Sequence, residues 1–250
     1  MSALFICAIA FLIIFAGAML GLVLHRSLPE PHFSAESKDV VKLGMGLVGT
    51  TTALVLGLLV ASAKSSYDAQ GAQVTQLASY VVVLDRVLAH YGPETKQARA
   101  ALRRATIRLI ETMWSQEGRE GARTAPETAN EVLLDQIQEL QPKSETQRSL
   151  KTQALAVTMD VGKTRWLMYA QEAASVSVPM LVVLILWLTV LFVSFGLLAP
   201  VNGTVVCSLL VAALSVSGAI FLILEMYSPY SGVMQISSQP LSAGLANLGR

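Results

Sequence analysis

The sequence has few charged residues for its length. Only 14% of its 250 residues are Asp, Glu, Lys or Arg, against about 25% in a typical soluble domain. The formal net charge is +1, and hydrophobic residues make up 53% of the chain. This balance indicates a membrane protein. It does not favour nucleic acid or an acidic macromolecule as a partner, because no strong overall field is present.

Cysteine and histidine are also scarce. Cys7 and Cys207 both lie in apolar runs. The topology described below places them near opposite membrane surfaces, so they cannot form a disulfide within one chain. The three histidines, His25, His32 and His90, do not cluster with carboxylates at ligand spacing. No phosphate-binding glycine loop, Ser/His/Asp signature or HExxH motif is present. The sequence therefore predicts no metal, no cofactor and no catalytic residues, and does not indicate an enzyme.

Four apolar runs are long enough to cross a membrane, since a span needs about 20 mainly apolar residues. They are Leu4–Leu24, Leu43–Ala63, Val178–Leu198 and Val205–Leu224. The first run lacks a basic leading segment and is too long for the core of a secretory signal, so we interpret it as a retained helix. The turn sequence Ala199–Gly203 makes the last two spans an antiparallel pair.

The polar middle of the chain, residues 64–177, carries most of the charge, with 14 of the 18 Lys/Arg and 13 of the 17 Asp/Glu. Its apolar residues recur at spacings of three and four, which predicts a long helix with a coiled-coil-like seam. The seam residues are Val74, Leu77, Val81, Leu84, Leu88 and Tyr91. Gly92 and Pro93 should end this helix and start the next.

More helices should follow in the middle. The same period continues through Ala98, Leu102, Ala105, Leu109 and Met113. Thr124 with Glu127, and Ser144 with Gln147, form possible capping boxes, and the second precedes a helix that can run into span three. The predicted fold class is thus all-α, with four transmembrane helices and a helical cytosolic domain between the second and third. The segments are 1–63, 64–177, 178–224 and a C-terminal tail, 225–250. The tail's weakly amphipathic end should lie on the surface or pack on a neighbouring subunit.

Span two differs most from a plain lipid anchor. Small and polar residues share one helical face of this span, at steps of three and four, namely Gly46, Thr50, Ala53, Gly57, Ala61 and Lys64. One interpretation is close packing between helix backbones. The other is a pore in an oligomer, narrowed by Leu54 and Leu58. Lys64 would then give a positive ring that favours anions, or would simply extend to the membrane interface.

Other charged residues have two interpretations each. Glu225 ends span four and either lies among lipid headgroups or pairs with a basic residue at the inner surface. One helix of the middle carries a row of arginines that indicates a solvated face, or a contact with anionic headgroups or an acidic subunit. These are Arg99, Arg103, Arg104 and Arg108. Lys64 and Asp68, one turn apart, are placed to form an ion pair.

The stretch Gly57–Asp68, "GLLVASAKSSYD", resembles the exit of the second span in bestrophins, and Ser66, Tyr67 and Asp68 match the Ser-Tyr-Asp ending there. The chain more closely resembles the bacterial bestrophin-like family of membrane proteins. Three segments carry this resemblance: "TALVLGLLVASAKSSYDAQ", "LDRVLAHYGPET" and "LEMYSPYSGVMQISSQPL". The sequence departs from bestrophins directly after the motif, where they tend to have Arg and a Trp-Trp pair and this chain has Ala69–Ala72. Bestrophins also have a neck of bulky apolar residues, and Gly57 and Ala61 interrupt the corresponding run in this chain.

The resemblance implies four spans, with both termini and residues 64–177 in the cytoplasm of a bacterial inner membrane. Charge alone gives no orientation, because each side has three Lys/Arg near span ends. Bestrophins are pentameric anion channels whose second span lines the pore, so the resemblance implies a homo-oligomer that passes small inorganic ions. The alternative is a membrane-anchored scaffold or sensor whose helical cytosolic domain binds a protein partner.

Overall fold

Every regular element in the described part of the chain is helical. The computed structural model describes residues 3–27, 35–114, 128–172 and 177–248. Within these ranges the α-helices are α1 (Ala3–Ser27), α2 (Ala35–Tyr91), α3 (Lys96–Trp114), α4 (Thr128–Gln138), α5 (Glu145–Glu172), α6 (Val178–Leu198), α7 (Gly203–Met226) and α8 (Gln239–Asn247). A 3₁₀ turn, Pro93–Thr95, joins α2 to α3. The predicted all-α class is confirmed.

Four helices, α1, α2, α6 and α7, are long and apolar enough to cross a membrane. The third predicted span coincides with α6, and the first and fourth lie inside α1 and α7. The second span is one part of α2, which runs for 57 residues without a break. Contacts divide the chain into a membrane unit, residues 1–66 and 175–227, and a helical unit, residues 67–174 and 228–250.

In the membrane unit, α1 and α6 cross at glycines. A Cβ atom on Gly21 would lie 2.1 Å from the carbonyl oxygen of Val193, and one on Gly196 would lie 2.2 Å from that of Ala18. No side chain fits at either position, so the two backbones touch directly. This contact was not predicted, although the four-residue spacing of Gly17 and Gly21 is a known signal for close helix packing in membranes.

Polar contacts join further parts of the membrane unit. Cys7 Sγ donates to the carbonyl oxygen of Ser217 at 2.9 Å. At the predicted turn before α7, Asn202 Oδ1 accepts from the backbone nitrogen of Val205 at 2.9 Å. This side chain satisfies one of the amide groups that a helix start leaves without a partner.

The helical unit is built around the predicted seam. All six seam residues of α2 are buried, with exposures between 0% and 3%. They contribute to two apolar cores. One includes Leu133 of α4 and Ala154 of α5, and the other includes Met168 of α5 and Leu241 of α8.

The end of α2 lies where Gly92 and Pro93 predict it. Gly92 has a φ of +135°, a conformation that other residues rarely adopt. Thr95 Oγ1 then donates to the carbonyl oxygen of Leu88 at 2.6 Å. Ser144 caps the start of α5 as predicted, because its Oγ accepts from the backbone nitrogen of Gln147 at 3.1 Å. The reciprocal bond of a capping box is shifted by one residue, since Gln147 Oε1 accepts from the backbone nitrogen of Lys143 at 2.7 Å. The Gln147 side chain also donates to the carbonyl oxygen of Tyr91 at 3.0 Å, and this bond links the start of α5 to the end of α2.

Other predictions about the helices are wrong or concern residues that the structure does not describe. The box at Thr124 and Glu127 falls outside the described residues. The prediction that α5 runs on into span three is wrong, because Ser177 has ψ of 105° and lies outside the helix. One side of the C-terminal helix packs within the subunit: an ideal Cβ on Gly244 of α8 would lie 3.5 Å from the carbonyl oxygen of Ala78 in α2. Its other side is exposed, and a contact of that side with a neighbouring subunit stays a prediction.

The arginine row of α3 is not uniformly solvated. Arg103, Arg104 and Arg108 are exposed as expected. Arg99 instead makes two hydrogen bonds with Asp85, from Nε to Oδ1 at 2.7 Å and from Nη2 to Oδ2 at 2.9 Å. These bonds raise the pKa of Arg99 above its usual value. The Asp85 side chain is only 4% exposed, so this is a largely buried, bidentate ion pair.

Candidate ion pathway on the second membrane helix

The candidate pore residues of α2 lie on one side of the helix, and its packed residues lie on the other. Thr52, Leu59 and Ala63 are buried, at 3%, 6% and 0% exposure. Gly49 on the packed side has Leu191 of α6 within 3.8 Å of its ideal Cβ position. All eight candidate positions are exposed in the single chain, namely Gly46, Thr50, Ala53, Leu54, Gly57, Leu58, Ala61 and Lys64. This face is therefore available to line a pore, to contact another subunit or to meet lipid.

The glycines of this face are not needed for packing within the chain. A Cβ atom on Gly46 or Gly57 would meet no atom of the described residues within 4 Å. At Gly21 and Gly196, by contrast, a Cβ atom would overlap with backbone atoms of the facing helix. Close helix packing inside the subunit thus explains the glycines of α1 and α6, and it does not explain those of the candidate face.

Consecutive threonines give this helix its hydroxyl groups. Thr50 Oγ1 donates to the carbonyl oxygen of Gly46 at 2.8 Å, and Thr51 Oγ1 donates to that of Leu47 at 2.9 Å. Both side chains are exposed. The bond back to the preceding turn satisfies each hydroxyl proton locally, so the polar character of the face consists of oxygen atoms.

The end of the candidate face lies near the end of α7 in the membrane unit. Ser62 Oγ is 3.4 Å from the hydroxyl oxygen of Tyr227. Lys64 is exposed and Ser66 is half-buried. Glu225 is only 6% exposed, so its side chain lies inside the protein rather than among headgroups. Its pairing with a basic residue at the inner surface stays a prediction.

The remaining motif residues belong to the helical unit. Tyr67 packs on the apolar core that contains Val74, seven residues further along α2. Asp68 is exposed. The predicted ion pair between Lys64 and Asp68 stays a prediction. The described residues contain no group of three His, Cys, Asp or Glu side chains that could hold a metal ion.

These features define a class of protein. The chain is an integral membrane protein of α-helices, in which the second membrane helix continues as the central helix of a separate helical unit.

Comparisons with known proteins define the family. A family model, the Bestrophin-like domain, matches residues 12–241, so the chain belongs to the bestrophin-like family. The fold is similar to two variants of a bacterial bestrophin homolog from Klebsiella pneumoniae, with TM-scores of 0.65 and 0.59 at 13% and 14% identity. The alignments cover 96% of this chain and 96% and 97% of those chains. A further similar structure, described as a membrane protein, has a TM-score of 0.61 at 12% identity and 96% coverage of both chains. No curated protein matches the sequence.

Proposed function

We propose that this protein is an ion channel formed by several copies of the chain around an axis, with the candidate face of α2 lining the pore. Bestrophins are ion channels, and the chain belongs to the bestrophin-like family. The observation that carries the proposal is the position of this face, which is exposed and opposite the packed side of α2. A ring of five subunits, as in bestrophins, would bring five such faces together.

Several features of the face suit a pore. Gly46 and Gly57 leave room along this face, and an ideal Cβ atom on either would meet no described atom within 4 Å. Leu54 and Leu58 are 64% and 58% exposed and would form apolar constrictions. Lys64 would add a ring of positive charge at the cytoplasmic mouth, which favours anions. We further propose the inner membrane of a bacterium as the location, with residues 64–177 on the cytoplasmic side.

Conductance of the purified protein in liposomes tests the channel itself. We expect ionic currents, and Lys64→Glu should shift the reversal potential towards cations because it inverts the charge of the proposed ring. The matched control is Lys151→Glu, since Lys151 donates to the carbonyl oxygens of Gln138 and Leu140 in the helical unit and is not in the proposed pore. No current under any salt condition would contradict the channel. An unchanged reversal potential would remove Lys64 from the pathway.

Cysteine modification tests which face lines the pore. In a background without Cys7 and Cys207, a charged thiol reagent should change the current of Gly57→Cys. It should leave the current of Leu186→Cys unchanged, because Leu186 is 58% exposed on α6 and not on the candidate face. The opposite pattern would indicate that another helix lines the pore.

The mass of the protein in detergent separates the channel from a scaffold or sensor. A closed ring of subunits supports the channel. A monomer or dimer supports a membrane-anchored scaffold.

A further inference from the structure

The surface of α5 changes character along its length. In the first half, exposed side chains are polar or small: Glu145, Thr146, Arg148, Ser149, Thr152, Gln153 and Ala156. In the second half, four large apolar or aromatic side chains are exposed, which we call the α5 patch. They are Met159, Trp166, Leu167 and Tyr169, with exposures of 60%, 63%, 51% and 45%. An exposed cluster of this kind usually marks a binding surface.

The patch lies away from the side of α5 that packs in the helical unit. Val161, Thr164 and Met168 of the same turns are buried, at 6%, 7% and 3% exposure. The rings of Trp166 and Tyr169 lie side by side, with centroids 5.8 Å apart. The aromatic side chains thus form a surface of their own and add nothing to the core.

Two basic residues border the patch. Arg165 makes no hydrogen bond or ion pair with any described residue, and burial lowers its pKa from the usual value. Lys163 is 72% exposed and lies 3.5 Å from Asp160. An arginine that has lost part of its hydration and has no counter-charge is suited to bind an anion.

Only a short length of chain separates the α5 patch from the third membrane span. Trp166 is six residues before the end of α5, which is about 9 Å of helix. From Glu172, six further residues reach Val178, the first residue of α6, and can span at most about 22 Å. The patch therefore lies on the half of α5 that leads to the membrane.

We propose that the α5 patch lies in the headgroup region of the bilayer, with Arg165 bound to the phosphate groups of anionic lipids. Trp and Tyr are enriched at this depth because their rings are apolar and their N–H or O–H groups are polar. Basic residues add attraction to anionic lipids. The patch is confined to the half of α5 that comes just before span three along the chain, and this favours lipid over a second copy of the chain. This inference does not depend on the channel.

Fluorescence of Trp166 in a bilayer tests the proposal. The chain has three tryptophans, so Trp114→Phe with Trp187→Phe leaves Trp166 alone. In nanodiscs of lipids brominated near the top of the acyl chain, Trp166 should lose most of its emission, and acrylamide in the water should quench it weakly. Quenching by acrylamide alone would overturn the proposal and place the patch in water. Weak quenching by both would overturn it in favour of a protein contact.

Two control variants calibrate these signals. Trp114 donates to the carbonyl oxygen of Ile236 at 2.7 Å and packs on Tyr230, so a variant that keeps Trp114 alone should respond weakly to both quenchers. Val132 on α4 is 49% exposed. Val132→Trp in a chain without other tryptophans should be quenched by acrylamide only.

A stability measurement tests the role of Arg165 with the native tryptophans present. The melting temperature of the wild-type protein should be higher in nanodiscs with anionic lipid than in zwitterionic ones. Arg165→Gln should lose this difference, and Arg148→Gln, a change of an exposed arginine at the start of α5, should keep it. If Arg165→Gln keeps the whole difference, Arg165 does not bind the headgroups.

Discussion

At the scale of single residues, the ion pair of Asp85 and Arg99 is unequal in its burial. The Asp85 side chain is 4% exposed, whereas that of Arg99 is 25% exposed. Arg99→Ala should therefore destabilise the helical unit by about 3–5 kcal/mol, because it removes the guanidinium that makes two hydrogen bonds to a buried carboxylate. Asp85→Ala should cost less, since the guanidinium group can turn towards water. Chemical unfolding in detergent measures both changes.

The control for this pair is Arg103→Ala, which removes an exposed arginine from the same helix and should change stability by less than about 0.5 kcal/mol. Equal effects of Arg99→Ala and Arg103→Ala would show that the pair contributes nothing.

The phenol of Tyr91 gives a prediction about alkaline pH. Tyr91 is 3% exposed and its hydroxyl group has no hydrogen-bond partner among the described residues. Burial raises its pKa above the usual 10.0, and the charge of Glu94 adds to this shift. The folded state therefore favours the neutral phenol. Its contribution to stability is complete below the ordinary pKa and is lost as the pH rises through the raised one.

Tyr91→Phe should remove this alkaline loss, and it should not destabilise the protein at neutral pH because no hydrogen bond is broken. Melting temperatures measured at pH values below and above the ordinary tyrosine pKa test this prediction. A wild-type profile retained by Tyr91→Phe would assign the alkaline loss to other groups.

At the scale of helices, the crossing of α1 and α6 depends on the absence of side chains. Gly21→Ala or Gly196→Ala would bring a methyl group into contact with backbone that cannot move aside like a side chain. We expect a loss of about 1–3 kcal/mol or more, as for other overpacked sites, seen as a lower melting temperature. Gly57→Ala should not lower the melting temperature, because that position is open and alanine favours a helix over glycine. Similar melting temperatures for Gly21→Ala and Gly57→Ala would contradict this account.

Helix positions followed from the sequence more reliably than helix contacts. The apolar run Val178–Leu198 gives the third span directly, because twenty apolar residues have few other stable arrangements. The seam from Val74 to Tyr91 likewise shows which side of α2 is buried. The pairing of Arg99 with Asp85 was not predictable, because it depends on how α3 folds back beside α2. For the candidate face, the sequence predicted which residues share a side of α2, and what that side meets depends on other molecules.

At the scale of the whole molecule, the proposed orientation can be tested by labelling. Gln153→Cys places a thiol at an exposed position of α5 in a background without Cys7 and Cys207. A reagent that cannot cross the membrane should label it only in inverted vesicles, because residues 64–177 are proposed to be cytoplasmic. Labelling of intact cells would indicate the opposite orientation, with Gln153 on the outer side of the membrane.

The exposed hydroxyl of Thr50 has a consequence for any solute that reaches it. Its only proton is already donated to the carbonyl oxygen of Gly46, so the side chain presents oxygen lone pairs. A cation can be bound by these lone pairs directly. An anion must first rotate the hydroxyl away from the helix and leave that carbonyl without its second donor. If the pore prefers anions, the preference at this level must come from charge elsewhere on the path, and Thr50 would work against it.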